Sequence, residues 1–294
     1  MAFVATVTRR GLKSCVSDYY RVGVISSREL VTQITPTTSL LRADGSDNEV
    51  YLVGTAHVSE ASAKEVQDLI VNIVKPETVF VELDAARAAK LVNDNPLFGQ
   101  DDDGDLLWNN IRSKVTQNLP MAMMGGKESV MADYIRSFYK MLKGYGLVPG
   151  IDMLSAIRAA HQIDARLYYG DQDSNATMRK LTSGVSNPMT LMKAMGTPVP
   201  EELQEVFQKI MAGGLDNIGV SVERMKQRHH ARKMGQFLDS ALPEVANALL
   251  HERDLIMANN LRAHCGKGKV VAVVGMAHMD GIEQHWTKLG KSSQ

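Results

Sequence analysis

The chain has 294 residues, with 33 basic and 33 acidic side chains and no net charge. That length can bury a substantial core in one large domain or two smaller ones. The charge balance gives no electrostatic case for nucleic acid or an acidic membrane surface.

Apolar residues make up 44% of the chain and charged residues 22%, ordinary proportions for a globular protein. No apolar run reaches the roughly 18 residues of a spanning helix, so no transmembrane segment is expected. The two cysteines, Cys15 and Cys265, read as free thiols of a reducing compartment, not a disulfide framework.

Residues 1–43 stand apart as an N-terminal arm. Arg9, Arg10, Lys13, Arg21, Arg28 and Arg42 are set against only Asp18 and Glu29, among many Ser and Thr. This is the composition of an organelle targeting segment. Residues 20–31 also read as a strand and helix of the fold, and both readings stay open. The arm lacks the small-residue cleavage site behind a long apolar core that marks a secretory signal.

Residues 44–294 read as a single domain. A short β-branched run at 49–53 predicts a strand. It leads into Gly54-Thr55-Ala56-His57, where glycine permits a tight or left-handed turn. Ser59 and Ser62 offer helix N-caps, and Ser62 with Glu65 fits a capping box. Val66, Leu69, Ile70, Ile73 and Val74 follow with helical spacing, and Lys75-Pro76 ends the helix. Residues 78–83 are the second strand, carrying Glu82 just past an apolar run. Strand, helix and strand over about 35 residues make a βαβ unit with parallel strands. Asp84 is placed to cap a helix at 85–93.

Residues 94–105 form a turn-rich acidic loop without the closing glutamate of a calcium loop. A large helical insertion follows at about 106–160, broken by the methionine-rich 120–126. Residues 165–169 are a third strand, again with acidic residues beyond its end in Gly170-Asp171-Gln172-Asp173. Ser174 is read as the cap of a helix at 175–182. After a loose stretch and an amphipathic helix at 201–212, a helical hairpin at about 220–264 turns around Pro243. Its basic stretch, Arg228-His229-His230-Ala231-Arg232-Lys233, is read as a solvated face, because adjacent histidines on a helix point apart. The second helix of the hairpin carries Glu252-Arg253-Asp254. The continuous apolar run 270–274 predicts a central strand buried on both faces. It ends in Gly275-Met276-Ala277-His278, and a helix at 280–289 closes the chain.

Two strand–G-x-x-H elements and one strand-end glutamate carry the chemistry. Sites in α/β sheets lie beyond the strand ends, which brings His57, His278 and Glu82 toward one place. Glu82 needs a partner if buried, and Arg87, Arg253 or a cation could supply it. Two imidazoles, a carboxylate and an open position suit a divalent metal: manganese, cobalt or zinc. Such a metal makes a nucleophile of its bound water near neutral pH, and an arginine can stabilise the oxyanion. A competing reading is an ion-pair network of Glu82 and Glu252 with Arg87 and Arg253. Without metal, His57 and His278 could serve as general base and acid.

Several motifs occur together in one order. They are Gly54-Thr55-Ala56-His57-Val58-Ser59; Val81-Glu82-Leu83-Asp84 with Arg87; Gly170-Asp171-Gln172 with Thr177-Met178-Arg179; Glu252-Arg253-Asp254 with Met257-Ala258; and Val273-Val274-Gly275-Met276-Ala277-His278 with Gly281-Ile282. Over about residues 50–286 the chain resembles the TraB family, related to pheromone-shutdown proteins and Tiki metalloproteases. The resemblance implies an α/β fold of the Tiki/TraB and erythromycin-esterase/ChaN-like type: a mixed, largely parallel central sheet with helices on both faces and a large helical insertion.

The resemblance also implies a metal-dependent peptidase site with His57, Glu82 and His278 at the metal and Arg253 as a further site residue, acting on a peptide or small molecule. The family's aspartate–arginine pair after the third strand is here Asp171-Gln172, which puts a charge role there in question. The C-terminal membrane anchor of some relatives is not seen in residues 286–294, leaving peripheral membrane association open. The alternative is a non-catalytic binding or adaptor protein on the same fold, associated with mitochondria; haem or ligand binding is a third implication. Cytoplasmic and mitochondrial locations both stay open, and the oligomeric state is undetermined.

Overall fold

The computed structural model describes residues 30–43, 48–56, 60–93, 150–185, 196–199, 201, 204 and 227–291. Six strands form one mixed sheet: β1 (Val31–Gln33), β2 (Thr38–Arg42), β3 (Glu49–Thr55), β4 (Thr78–Val81), β5 (Arg166–Tyr169) and β6 (Lys269–Gly275). Their order is β1-β2-β3-β6-β4-β5. The first three pair antiparallel, and β3, β6, β4 and β5 run parallel. Strand β6 lies between β3 and β4, so Val273 is in register with both Val53 and Val81. Its buried residues 270–275 explain the continuous apolar run.

Side-chain alternation builds the two covered faces. Val53, Val79, Val81, Val271 and Val273 meet α1 (Glu60–Asp68), its π-helical continuation Leu69–Val74, and α3 (Ile151–Gln162). Leu52, Phe80, Val270, Ala272 and Val274 meet α7 (Glu252–His264) and α8 (Met279–Lys291). The remaining helices are α2 (Ala85–Asn93), α4 (Ser174–Val185), α5 (Arg228–Ala241) and α6 (Pro243–Ala246). A second π-helical turn, Asn247–His251, leads into α7. The fold is α/β, with helices on both faces of a largely parallel sheet.

Several expectations change in detail. Strands β1 and β2 fall inside the stretch read as an arm, yet β2 pairs with β3 along its whole length. Its buried Thr38 and Ser39 hide the apolar pattern that would have marked a strand. Ser62 lies inside α1, and Glu65 accepts a hydrogen bond from Thr37 Oγ1 at 2.6 Å, so the capping box does not form. Asp173, not Ser174, caps α4, accepting from the Asn175 amide at 2.8 Å. The turn glycines have another cause. Gly275 has φ −63, a conformation open to any residue, and Gly54 needs space: a Cβ there would sit 2.3 Å from Met279 Sδ. Lys75, with φ 51, takes the left-handed position that ends the first π-helical turn before Pro76.

Residues 1–29, the acidic loop 94–105, the segment 106–149 and most of the expected helix 201–212 lie outside the described residues. Residues 151–162 of the insertion are helix α3 and belong to the core.

Candidate functional site

The parallel register determines what meets at the C-terminal edge of the sheet. One residue past β4, the Glu82 amide still donates to Val273 O of β6 at 3.1 Å. Glu82 shares the parity of Phe80, so its side chain turns to the face covered by α7 and α8. Past β5, the Asp171 amide donates to Leu83 O at 3.3 Å, bringing the third strand end alongside. Past β6, a short 3-10 turn, Met276–His278, buries His278. From above, α7 contributes Arg253 and Asp254.

These five side chains form one buried cluster. Residue exposures are 3% for Glu82, 8% for Arg253, 3% for Asp254 and 4% for His278, and the Asp171 side chain is 2% exposed. Arg253 is gripped as a fork: Nε donates to Asp171 Oδ1 at 3.0 Å and Nη2 to Asp171 Oδ2 at 2.9 Å. Nη2 also donates to Glu82 Oε1, and Nη1 donates to Leu249 O at 3.0 Å. The other Glu82 oxygen accepts from the Gly275 amide at 2.6 Å. Half-exposed Arg87 reaches Asp171 Oδ2 at 3.1 Å from α2, whose N-terminus is capped by Asp84 through the Arg87 amide at 2.8 Å.

His278 is held at both nitrogens. Nδ1 lies 2.6 Å from Asp254 Oδ1, and Nε2 lies 3.1 Å from both Glu82 Oε1 and Arg253 Nη1. A protonated imidazole donates to Glu82; a neutral one accepts from Arg253. Burial disfavours the imidazolium, but the Glu82 charge and the Asp254 hydrogen bond prevail and push the His278 pKa up to about 9. Burial pushes the Asp254 carboxyl up, against the pull of the His278 hydrogen bond. Both shifts keep a proton on the axis between Nδ1 and Oδ1. The Arg253 guanidinium, despite burial, is held further toward its charged form by Glu82 and Asp171. With the imidazole charged, three carboxylates (Glu82, Asp171, Asp254) meet three cations (Arg253, His278, Arg87).

The structure therefore brings together Glu82, Arg253 and His278 of the expected site. His57 lies outside the described residues, two positions beyond β3. Of the expected ion-pair network, Glu82–Arg253 forms, whereas Arg87 serves Asp171 and Glu252 turns to Lys180 and Asn247. Two members were missed as site residues. Asp171 carries a full charge role without an arginine next to it, because Arg253 and Arg87 arrive from other elements; Gln172 turns to Thr177 Oγ1 at 2.8 Å. The signal for Asp171 was its place just past a strand, like that of Glu82. Asp254 had no such signal: α7 orients it, and α8 crosses it at Gly281, where a Cβ would sit 1.9 Å from Asp254 Oδ2. Among the described residues, no three His, Cys, Asp or Glu side chains are grouped to hold a metal ion.

The family model for TraB/PrgY/gumN matches residues 39–293. The chain belongs to the TraB/PrgY/gumN family. The TraB domain-containing protein of Homo sapiens is 26% identical over 267 residues, covering 85% of this chain and 65% of that protein. An uncharacterized protein of Methanocaldococcus jannaschii is 27% identical over 246 residues, covering 82% of this chain and 54% of the relative. The Bos taurus TraB domain-containing protein is 25% identical over 273 residues. The chain spans between about half and two thirds of the length of these relatives. The family match starts at the second residue of β2, so the pairing of β2 with β3 from Ser39–Leu52 onward falls inside it. No helix among the described residues is long and apolar enough to cross a membrane.

Proposed function

We propose that this TraB-family chain is a metal-dependent, peptidase-like hydrolase, with Glu82 and His278 as cation donors and His57 as the third donor that the resemblance implies. The observation that supports this reading is the pose of His278. Asp254 takes Nδ1, which leaves Nε2 as the presented nitrogen, 3.1 Å from Glu82 Oε1. Ligand distances of about 2.0–2.2 Å put two donors of one cation about 3 Å apart, so this pair fits. A carboxylate on the far nitrogen is the usual support of a metal-binding histidine. Manganese, cobalt and zinc all accept such an oxygen and nitrogen set.

When bound, the cation would supply a water of lowered pKa and polarise a carbonyl. The chain's own residues would do the rest. Asp254 sets the tautomer and ring orientation of His278. The Gly275 amide holds the second oxygen of Glu82. Arg253 brings a buried positive charge to the same two side chains.

The test is elemental analysis of wild type beside His57→Ala, Glu82→Gln and His278→Ala. The expected result is near-stoichiometric manganese, cobalt or zinc in wild type, lost in each variant, with hydrolysis of peptide substrates lost in parallel. Wild type that takes up no metal on reconstitution overturns the proposal.

One observation favours a second reading. The buried charges satisfy one another, so the cluster needs no further ligand to be stable. That suits a non-catalytic adaptor on the same fold, associated with mitochondria. A partner recovered by metal-free wild type, and lost on deleting residues 1–29 or 121–124, would favour it.

A further inference from the structure

The Arg253 guanidinium covers the two atoms that the proposed function assigns to a cation. Nη2 donates to Glu82 Oε1, and Nη1 lies 3.1 Å from His278 Nε2. This placement is built by three separate elements. Asp171, past β5, grips Nε and Nη2 with both oxygens. Arg87, on α2, backs Asp171. The Leu249 carbonyl, in the π-helical turn before α7, takes Nη1 at 3.0 Å. With His278 neutral, all five guanidinium N–H groups are engaged, so none is left for a substrate.

The guanidinium charge is also closed off, paired with the buried carboxylates of Glu82 and Asp171. A divalent cation entering between Glu82 and His278 would meet a fixed positive charge within a few ångströms, in surroundings that screen it poorly. Burial of Arg253 makes its retreat into water costly. Glu82 Oε1 and His278 Nε2 therefore cannot serve the guanidinium and a metal in the same arrangement.

We propose that Arg253 is the resident counter-cation of this site, anchored by Asp171, and that it competes with a divalent cation for Glu82 and His278. The inference rests on the reading of those two residues as cation donors. It gives a sign opposite to a supporting role: removing the guanidinium should tighten cation binding.

The experiment is calorimetric titration of the full chain with Zn²⁺, Co²⁺ or Mn²⁺, with circular dichroism as the check on folding. Wild type is compared with Arg253→Gln, and Asp171→Asn with the double variant Arg253→Gln/Asp171→Asn. The double variant loses one charge of each sign and keeps the balance, so it carries the test if the single variant unfolds. Arg253→Gln should bind about tenfold tighter or more, and the double variant should gain by a similar factor over Asp171→Asn. Equal or weaker binding in the folded variants overturns the competition, as does no binding by any of them. Binding by Arg253→Gln but not by wild type supports the competition while sinking the reading of wild type as metal-loaded. If neither variant folds, the Arg253 Nε–H resonance of wild type decides: it should shift at cation saturation, and an unmoved resonance overturns the proposal.

Discussion

Two arginine clusters of the molecule differ mainly in their access to water. In one, Arg253 is enclosed with Glu82, Asp171, Asp254 and His278, all nearly without solvent contact. In the other, Arg228 and Arg232 of α5 reach across to Asp280 and Glu283 of α8, and Arg228 also meets Ser39 of β2. The Arg228 side chain is 11% exposed and that of Arg232 is 55% exposed. The basic stretch read as a solvated face is therefore partly a staple between helices. The chemistry is the same in both clusters, but desolvation makes the first an all-or-none assembly and leaves the second a set of separable contacts.

The largest effect should come from opening the enclosed cluster. Arg253→Met leaves Glu82 and Asp171 buried without their main cation, and urea denaturation should show a loss of about 3–5 kcal/mol. A loss as small as that of an exposed pair would mean that the cluster is open to water.

Gly281→Ala should come next, because the new Cβ would sit 1.9 Å from Asp254 Oδ2, forcing α8 or the carboxylate to move. Overpacking of this kind costs about 1–3 kcal/mol. A neutral result in thermal melts would show that Asp254 has room to turn.

His278 sharpens the comparison through pH. Its folded pKa, about 9, lies above the ordinary 6.5, so its charge contributes stability that is fully present below 6.5 and is lost as pH rises through 9. Chelator-treated wild type should therefore lose stability across that window, and His278→Gln should be nearly flat there. Equal pH profiles would place the imidazole outside the ion network.

The smallest effect belongs to the open cluster. Arg232→Ala removes a mostly exposed side chain whose partner Asp280 keeps Arg228, and stability should change by about 0.5 kcal/mol or less. A larger change in chemical denaturation would show that the staple is stiffer than its exposure suggests.

Much of the site was legible because it lies where strands end. Apolar runs ending at Glu82 and at Gly275 announce their own termini, and sequence order alone puts a glutamate and a histidine there. The central place of β6 was legible for the same reason, since only a strand covered on both faces tolerates an unbroken apolar run. Strand β2 was not, because it is buried by pairing with β3 and not by its own pattern, and β1 is the edge strand that pairs only with β2. The Ser62–Glu65 capping box failed similarly: Thr37, distant in sequence, offers Glu65 a hydroxyl at 2.6 Å.

The sequence by itself determined the βαβ frame, the family and three of the cluster's residues, because periodicity and strand ends are local properties. Only the tertiary structure decided that Asp171 clamps Arg253, that Asp254 orients His278, and that Arg253 lies across Glu82 and His278. Those pairings join the ends of three strands and one helix. They depend on register, on the bare backbone at Gly281, and on the exclusion of water, none of which is written at any single position of the chain.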